Sequence, residues 1–381
     1  MAEPVVTLAI HSLETLHTTE KLSLLDTVTT ESDFLRLSRR KVEEIIGRRL
    51  KIREFRPEGL LQAASKDLKY LTQAQIAYTF YWSGDYPPLL REIYDPPFVL
   101  FYRGHLPDSS RPLLAIVGTR RPTGVGLRAA FQLGSELGSE NISVVSGLAR
   151  GVDAAAHRGN IHGGGKTVAV LGSGIDRIYP DSNRRLAESI LTSGGMICSE
   201  FAPGVPPLRH HFPGRNRIIS GLSRGVVIVE APVRSGALIT ADFCLEQGRD
   251  LYVHQSGLAG PNREGCAELA GNGAVIVSSP TEILRDWSVE TPPNGPVRAG
   301  ERPILRRKQR EARSTAPGQL EFELEDIRPE LVETDLVDNS VRTGTALADL
   351  MRRELAGTVT TYYGAYFRRS DRWQKRRFTR C

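Results

Sequence analysis

Three groups of residues have types and spacings suited to chemistry, and two of them point first to phosphate. One is the stretch Phe212–Ala241, FPGRNRIISGLSRGVVIVEAPVRSGALITA, which opens with Arg215 and Arg217 around Asn216 and closes on Ser235-Gly236 before a helical pattern. It reads as loop, helix, strand, loop, helix. Arginine forks match phosphate oxygens, and the free N–H groups of a helix start favour an anion, so both ends of the stretch suit phosphate. The second is Gly118-Thr119-Arg120-Arg121-Pro122-Thr123-Gly124-Val125-Gly126, a glycine-rich loop entering a helix. Its Gly124–Ala129 portion matches GxGxxA, but the glycine stands several residues after the strand, and the next strand ends at Ser146-Gly147 without a ribose-binding acid. The two arginines favour phosphate or nucleic-acid backbone over a dinucleotide.

The third is Arg209-His210-His211-Phe212, where a cation and a flat ring stand three residues apart. That pairing suits a single strand, with bases stacked on the ring and the backbone passing the cation, and equally a buried Phe beside a solvated Arg. Adjacent histidines point to different sides and have no acid or cysteine at ligand spacing, so no metal is expected. Asp153 and His157, four apart on one helical face, form a conceivable acid and base. An organising pair is preferred, with Asp153 complementing the helix dipole and His157 hydrogen-bonded to it. The loop holding Asp176, Tyr179-Pro180 and Asn183 receives no chemistry, since turn capping would look the same. GxSxG, GxxxxGK[ST], HExxH and a magnesium-type carboxylate cluster are all lacking, so no catalytic residue and no cofactor is expected.

These residues must be positioned by a sheet. The sequence predicts strands at 113–117, 143–146, 167–171, 196–199, 226–230, 251–254 and 274–277, with helices at 124–139, 152–161, 182–192 and 237–247. Apolar strands without two-residue alternation, separated by helices, imply a doubly wound, mostly parallel α/β sheet of Rossmann-like type, which binds ligands at the carboxyl ends of its strands. Before it, Leu13–Leu71 shows helical spacing, with Ser32 and Asp33 as candidate caps and with Arg39, Arg40, Lys41, Arg48 and Arg49 on a face read as solvated. Tyr86–Gly104 reads as a proline-broken connector carrying a short apolar strand. Four units follow: a helical, SAM-like module over 1–80, the α/β domain over 81–290, a basic flexible linker over 291–320, and a helix with a β-hairpin and basic tail over 321–381.

Composition limits the class. The 381 residues are 40% hydrophobic, enough for a large core, and 50 basic against 44 acidic residues leave a charge of +6 that permits a polyanionic partner. Cys198, Cys244, Cys266 and Cys381 form no CxxC pair, Glu3 stands where a signal peptide carries basic residues, and no apolar run suits a bilayer, so a reduced cytoplasmic protein is expected.

The run from Tyr86 to Leu284, about half the chain, resembles the bacterial DNA-processing protein A family (DprA, also called Smf). The resemblance is carried by Tyr86-Pro87, Gly118-Thr119-Arg120, Gly147-Leu148-Ala149-Arg150-Gly151-Val152-Asp153 with His157, Tyr179-Pro180, Ser199-Glu200, Phe212-Pro213 with Arg215-Asn216-Arg217, and Ser235–Ala241 with Thr240. It implies a non-enzymatic protein that protects incoming single-stranded DNA during natural transformation and loads a RecA-type recombinase onto it, and a homodimer built on an extended Rossmann-like domain. Carried over by motif, Arg120 pairs with phosphate, Arg209 takes the basic position before Phe-Pro, Phe212 stacks on a base, Arg215 and Arg217 brace the pocket, and backbone at Ser235-Gly236 meets phosphate. The helix and hairpin near residue 350 would match a shortened winged helix. Val253-His254-Gln255-Ser256-Gly257 and Gly265-Cys266-Ala267-Glu268-Leu269 depart from the family pattern. The alternative is a nucleotide phosphoribohydrolase on a related sheet, with Glu230 as catalytic acid; a third reading is a scaffold whose basic linker and tail bind RNA or acidic proteins.

Overall fold

Proline and short polar caps set the first elements in a computed structural model that describes residues 2–52, 54–288, 359–362 and 365–368. Helices α1 (Pro4–His11) and α5 (Pro57–Gln73) both begin on proline, whose missing N–H is no loss in a first turn. Between them run α2 (Thr18–Leu25), α3 (Glu31–Leu35) and α4 (Arg39–Ile46). The sequence predicts Ser32 and Asp33 as caps, but both lie inside α3. Thr30 closes a reciprocal box instead: its hydroxyl accepts from the Asp33 N–H at 3.1 Å and its own N–H donates to the Asp33 carboxylate at 3.2 Å. On α4, Arg39 and Arg40 each reach the glutamate one turn on at 3.1 Å, so that basic face is solvated and self-paired.

Strands β1 (Ala77–Phe80) and β2 (Val99–Gly104), flanking the short α6 (Pro88–Arg91), correct the connector reading. They pair antiparallel with each other, and β2 pairs antiparallel with a later strand, so they extend the sheet and cover an edge that would otherwise expose unpaired backbone groups. Phe98, Val99 and Phe101 bury into one core with Val6, Leu24, Phe34 and Leu71 of the N-terminal helices. Each such side chain contributes on the order of 1.5–3 kcal/mol on burial.

The rest of the sheet is parallel. In chain order come β3 (Leu113–Val117), α7 (Gly124–Ser139), β4 (Ser143–Ser146), α8 (Val152–His162), β5 (Val168–Val170), α9 (Arg184–Thr192), β6 (Met196–Ser199), α10 (His211–Leu222), β7 (Gly225–Ile228), α11 (Gly236–Glu246), β8 (Asp250–His254), α12 (Glu264–Gly271), β9 (Val275–Val277) and α13 (Pro280–Ser288). The strand order is β1-β2-β6-β5-β4-β3-β7-β8-β9. All five residues of β3 are buried, as a strand covered on both faces requires. Helices α10 and α11 cover one face through Ile218, Ile219, Ala237 and Cys244; α7, α8 and α13 cover the other through Leu133, Leu137, Ala156 and Ile283.

Met1–Ser288 packs as one compact unit, and Val289–Cys381 forms a second. In the second unit β10 (Val359–Tyr362) and β11 (Ala365–Arg368) make an antiparallel ladder from Val359 opposite Arg368 to Tyr362 opposite Ala365, the expected hairpin. The linker 291–320, the helix expected at 346–355 and the basic tail lie outside the described residues. Among the described residues no helix is long and apolar enough to cross a membrane.

Candidate nucleic-acid interface

The carboxyl ends of β3, β4 and β5 carry the loops 118–123, 147–151 and 171–180, and α10 begins against them. Here the loop expected at Phe212–Arg217 is corrected, because α10 starts at His211 and holds all six residues in its first two turns. Proline reads as a breaker in sequence, yet Pro213 sits in the first turn, where its missing N–H breaks no helical bond. The start of α10 is steadied from outside by His211, whose ring stacks on Phe201 with centroids 4.1 Å apart.

Phe212 is half-buried and stands at the centre of a cationic and aromatic cluster. Arg120, exposed on the loop after β3, places its guanidinium carbon 5.7 Å from the ring centroid; Arg215, one turn along α10, places its own at 5.9 Å. Both distances are within cation–π range. Tyr179, on the loop after β5, leans on the same ring at 5.5 Å and 47°. Gly172 makes room: a Cβ there would lie 2.9 Å from Phe212 Cδ1.

Arg215 and Arg217 do not face an opening, which corrects the reading of both forks as phosphate contacts. Arg215 is 4% exposed and donates through Nη1 to the carbonyls of Gly147, at 2.9 Å, and Val170. A side chain at Gly147 would meet that guanidinium. Burial pulls Arg215 down to about 10, against the attraction of Asp153, so it stays cationic at neutral pH. Arg217 is 5% exposed and forks onto Glu200 at 3.0 and 2.7 Å, with Asp95 at 3.6 Å. Deep helix faces leave these charges no path to solvent, and carbonyls and carboxylates hold them instead. Asn216 ties α10 to the start of α11, donating to the Gly236 carbonyl at 3.2 Å.

At α11, Ser235 caps the helix, accepting from the Ala237 N–H at 3.3 Å; Gly236 is exposed, while Thr240 is buried one turn further. Arg209 is exposed in the turn before α10. Thr119 is buried beneath Gly118, its hydroxyl accepting from the Arg121 N–H at 3.2 Å. Arg120, Arg209 and Gly236 are thus exposed to solvent, and Phe212 is half-buried.

Strand order reverses beside β3, where β4 lies on one side and β7 on the other, the place where such sheets bind nucleotides. The structure fills it with Glu230. This carboxylate is 1% exposed and accepts from the Thr123 N–H at 2.9 Å, the Thr123 hydroxyl, and Asn262 Nδ2 at 3.0 Å. The N-terminus of α7 is therefore occupied by the chain's own anion, and Glu230 is bound by three donors. Asn262, from the loop after β8, was not singled out by sequence reasoning, which offers no local signal for it.

Asp153 and His157 do not pair, which corrects the expected hydrogen bond between them. Asp153 accepts from the N–H groups of Gly147 and Ala149 at 3.1 and 3.3 Å, and burial pushes its carboxyl up against the pull of Arg215. His157 is fully buried, with Nδ1 2.7 Å from Thr167 Oγ1. That hydroxyl donates to the Val144 carbonyl at 2.7 Å, so it accepts from Nδ1–H, and burial holds the imidazole down at about 3. Asp153 thus organises the loop after β4, while His157 ties α8 to Thr167 at the entry of β5. Among the described residues no group of three His, Cys, Asp or Glu is gathered for a metal ion.

Comparison with known proteins bears on this arrangement. The sequence model of the family "DNA recombination-mediator protein A" matches residues 77–288, which begin at β1 and end with α13. The chain belongs to this family. Among curated relatives of this recombination-mediator protein A chain, the DNA processing protein DprA of Streptococcus pneumoniae is 42% identical over 202 residues, 53% of this chain and 71% of its own. Protein Smf of Escherichia coli is 36% identical over 289 residues, 74% of this chain and 75% of its own. The crystal structure of the S. pneumoniae protein superposes with a TM-score of 0.62 at 33% identity, covering 75% of this chain and 99% of the other. A Helicobacter pylori DprA structure, described for its single-stranded DNA binding mode, gives 0.50 at 28% identity over 56% of this chain and 96% of the other.

Proposed function

We propose that this recombination-mediator family member binds single-stranded DNA at the carboxyl ends of β3–β5 and makes or breaks no bond there. The observation that carries the reading is the exposed Arg120 guanidinium set 5.7 Å from the ring of the half-open Phe212. Such a pair offers a charge for backbone and a flat surface for a base, the two elements of sequence-tolerant single-strand recognition. The H. pylori relative, described as binding single-stranded DNA, supports it. In this reading Arg120 pairs with phosphate, Phe212 stacks on a base, Arg209 and the backbone at Ser235-Gly236 meet further phosphates, and Arg215, Asn216 and Arg217 hold the platform. The protein works in the cytoplasm as a homodimer, protecting incoming strands during DNA uptake and handing them to a RecA-type recombinase.

Fluorescence anisotropy with single-stranded and duplex oligonucleotides across a salt series tests this. The expected result is preference for the single strand, an affinity that falls steeply with salt as counterions are released, and loss of binding on Arg120→Ala or Phe212→Ala. Salt-independent binding, or full affinity in both variants, overturns the reading. Recombinase loading is tested separately, by the rate at which a RecA-type protein forms filaments on protein-coated strands.

A further inference from the structure

The loops beside Phe212 hold a second aromatic and a second cation that the reading above does not use. Tyr179 is 46% exposed, and its ring rests on Phe212 at 5.5 Å. Three residues on, Ser182 accepts from Arg150 Nε at 3.3 Å, and Arg150 is itself exposed on the loop after β4. These two loops are stitched together by Asn183, whose Nδ2 donates to the carbonyls of Leu148 and Ala149 at 2.9 and 3.2 Å. The loop after β4 also takes Arg215 Nη1 on its Gly147 carbonyl at 2.9 Å, directly beneath the Phe212 cluster. Arg150 and Tyr179 are therefore fixed to the same framework as Arg120 and Phe212.

We infer that Tyr179 and Arg150 form a second nucleotide subsite for a single strand, next to the one at Phe212 and Arg120. The inference rests on the proposed single-strand binding and gives that site a direction, from the loop after β3 toward the loops after β4 and β5. The chemistry repeats that of the first subsite. Phe212 already carries two guanidinium groups and a phenol ring against it, whereas Tyr179 offers close to half its surface to solvent. A base adjoining the one at Phe212 stacks on Tyr179, and its phosphate meets Arg150, which exchanges the weak Ser182 contact for a charged one.

The test uses the full chain and oligothymidylates lengthened one nucleotide at a time, with anisotropy as the readout. Tyr179→Ala, which also takes a neighbour from Phe212, is expected to lose roughly tenfold more affinity for oligomers that reach the second subsite than for the shortest bound oligomer, the lower part of the range for one stacked base. Tyr179→Phe is expected to restore the affinity. Arg150→Ala should reduce the salt slope of the longer oligomers by about 0.7, one single-strand phosphate contact, and leave that of the shortest unchanged. Equal affinity of Tyr179→Ala and the unsubstituted chain at every length overturns the inference, and so does an equal loss at every length. Failure of the unsubstituted chain to bind any oligomer overturns the proposed function along with it.

Discussion

Arg217 holds both carboxylate oxygens of Glu200, Nη1 to Oε1 at 3.0 Å and Nη2 to Oε2 at 2.7 Å, inside the protein. The pair joins the residue just after β6 to α10, the helix that carries Phe212 five residues earlier. Asp95, 3.6 Å from the same guanidinium and 3.8 Å from His17 Nδ1, links this fastening to the segment before β2 and to the N-terminal helices. A fork matched to one carboxylate in a dry setting fixes orientation as well as charge.

Replacing Arg217 by Ala therefore strips a buried carboxylate of its partner. The expected cost is about 3–5 kcal/mol of unfolding free energy, read from urea titration. The salt slope of oligonucleotide binding by the folded protein should not change, because the Arg217 guanidinium is buried on Glu200. Arg120→Ala is expected to do the reverse, leaving the urea midpoint in place and lowering the slope by about 0.7. A slope change in Arg217→Ala would move that residue back to the surface of the site.

Gly172→Ala tests the seat of Phe212. The new methyl group would lie 2.9 Å from Cδ1 and 3.2 Å from Cε1 of the ring, while Tyr179 and Arg215 hem the ring in elsewhere. The ring must move, and overpacking of this kind costs about 1–3 kcal/mol. Affinity for single strands should fall while the salt slope stays the same, since no charge is altered. Anisotropy titrations at two salt concentrations, beside a thermal melt, check both parts.

The parallel strands were legible because burial on both faces writes itself as a continuous apolar run. Leu113–Val117, Ser143–Ser146 and Met196–Ser199 occupy the residues that the sequence predicts. The helix Gly124–Ser139 does too, its start marked by Thr123. By contrast β2, legible as a short apolar strand, joins the sheet by pairing with β6, about a hundred residues away, and β1 joins it through β2; local pattern carries no trace of either pairing. Helix α1 was missed because six of its eight residues are buried, which removes the polar face that reveals a helix. In the candidate site the residue types were readable and their directions were not. Arg215 and Arg217 look like phosphate forks until Gly147, Val170 and Glu200 are folded against them. One signal was present for the second pair: an acid, Glu200, immediately after an apolar parallel strand.

His157 makes stability depend on pH in a defined direction. Its folded-state value of about 3 lies below the roughly 6.5 of an unfolded histidine, so between these values the unfolded chain takes up a proton that the folded one refuses. Stability is level above that upper value and falls as the pH drops toward 3, by at most about 1.4 kcal/mol per pH unit for this one group. His11, also held at about 3 by burial and by Lys21, adds a similar share. Urea unfolding at pH 7.5 and pH 5 should show the drop, and His157→Gln should remove only that residue's own share, since burial also holds His211 down at about 4 and lowers His210 and His254. An unchanged difference between the two pH values would mean that His157 gains a proton in the folded state.

Glu230 decides between a structural carboxylate and a catalytic one. Its Oε2 accepts from the Thr123 N–H and Asn262, and its Oε1 accepts from the Thr123 hydroxyl, so both oxygens are committed to donors. Gln keeps the shape, but with its amide oxygen in the place of Oε2 the two N–H donors lose a charged acceptor, and its NH2 requires the Thr123 hydroxyl to turn from donor to acceptor. The expected loss is about 1–3 kcal/mol in urea unfolding, because hydrogen bonds to a charged group contribute more than those to a neutral one. Neither the unsubstituted chain nor Glu230→Gln should release free base from nucleoside monophosphates, because the carboxylate that would protonate a leaving base is engaged at the start of α7. Release of base by the unsubstituted chain that vanishes in Glu230→Gln, with the unfolding midpoint unmoved, would assign Glu230 to catalysis and displace single-strand binding as the work of this sheet.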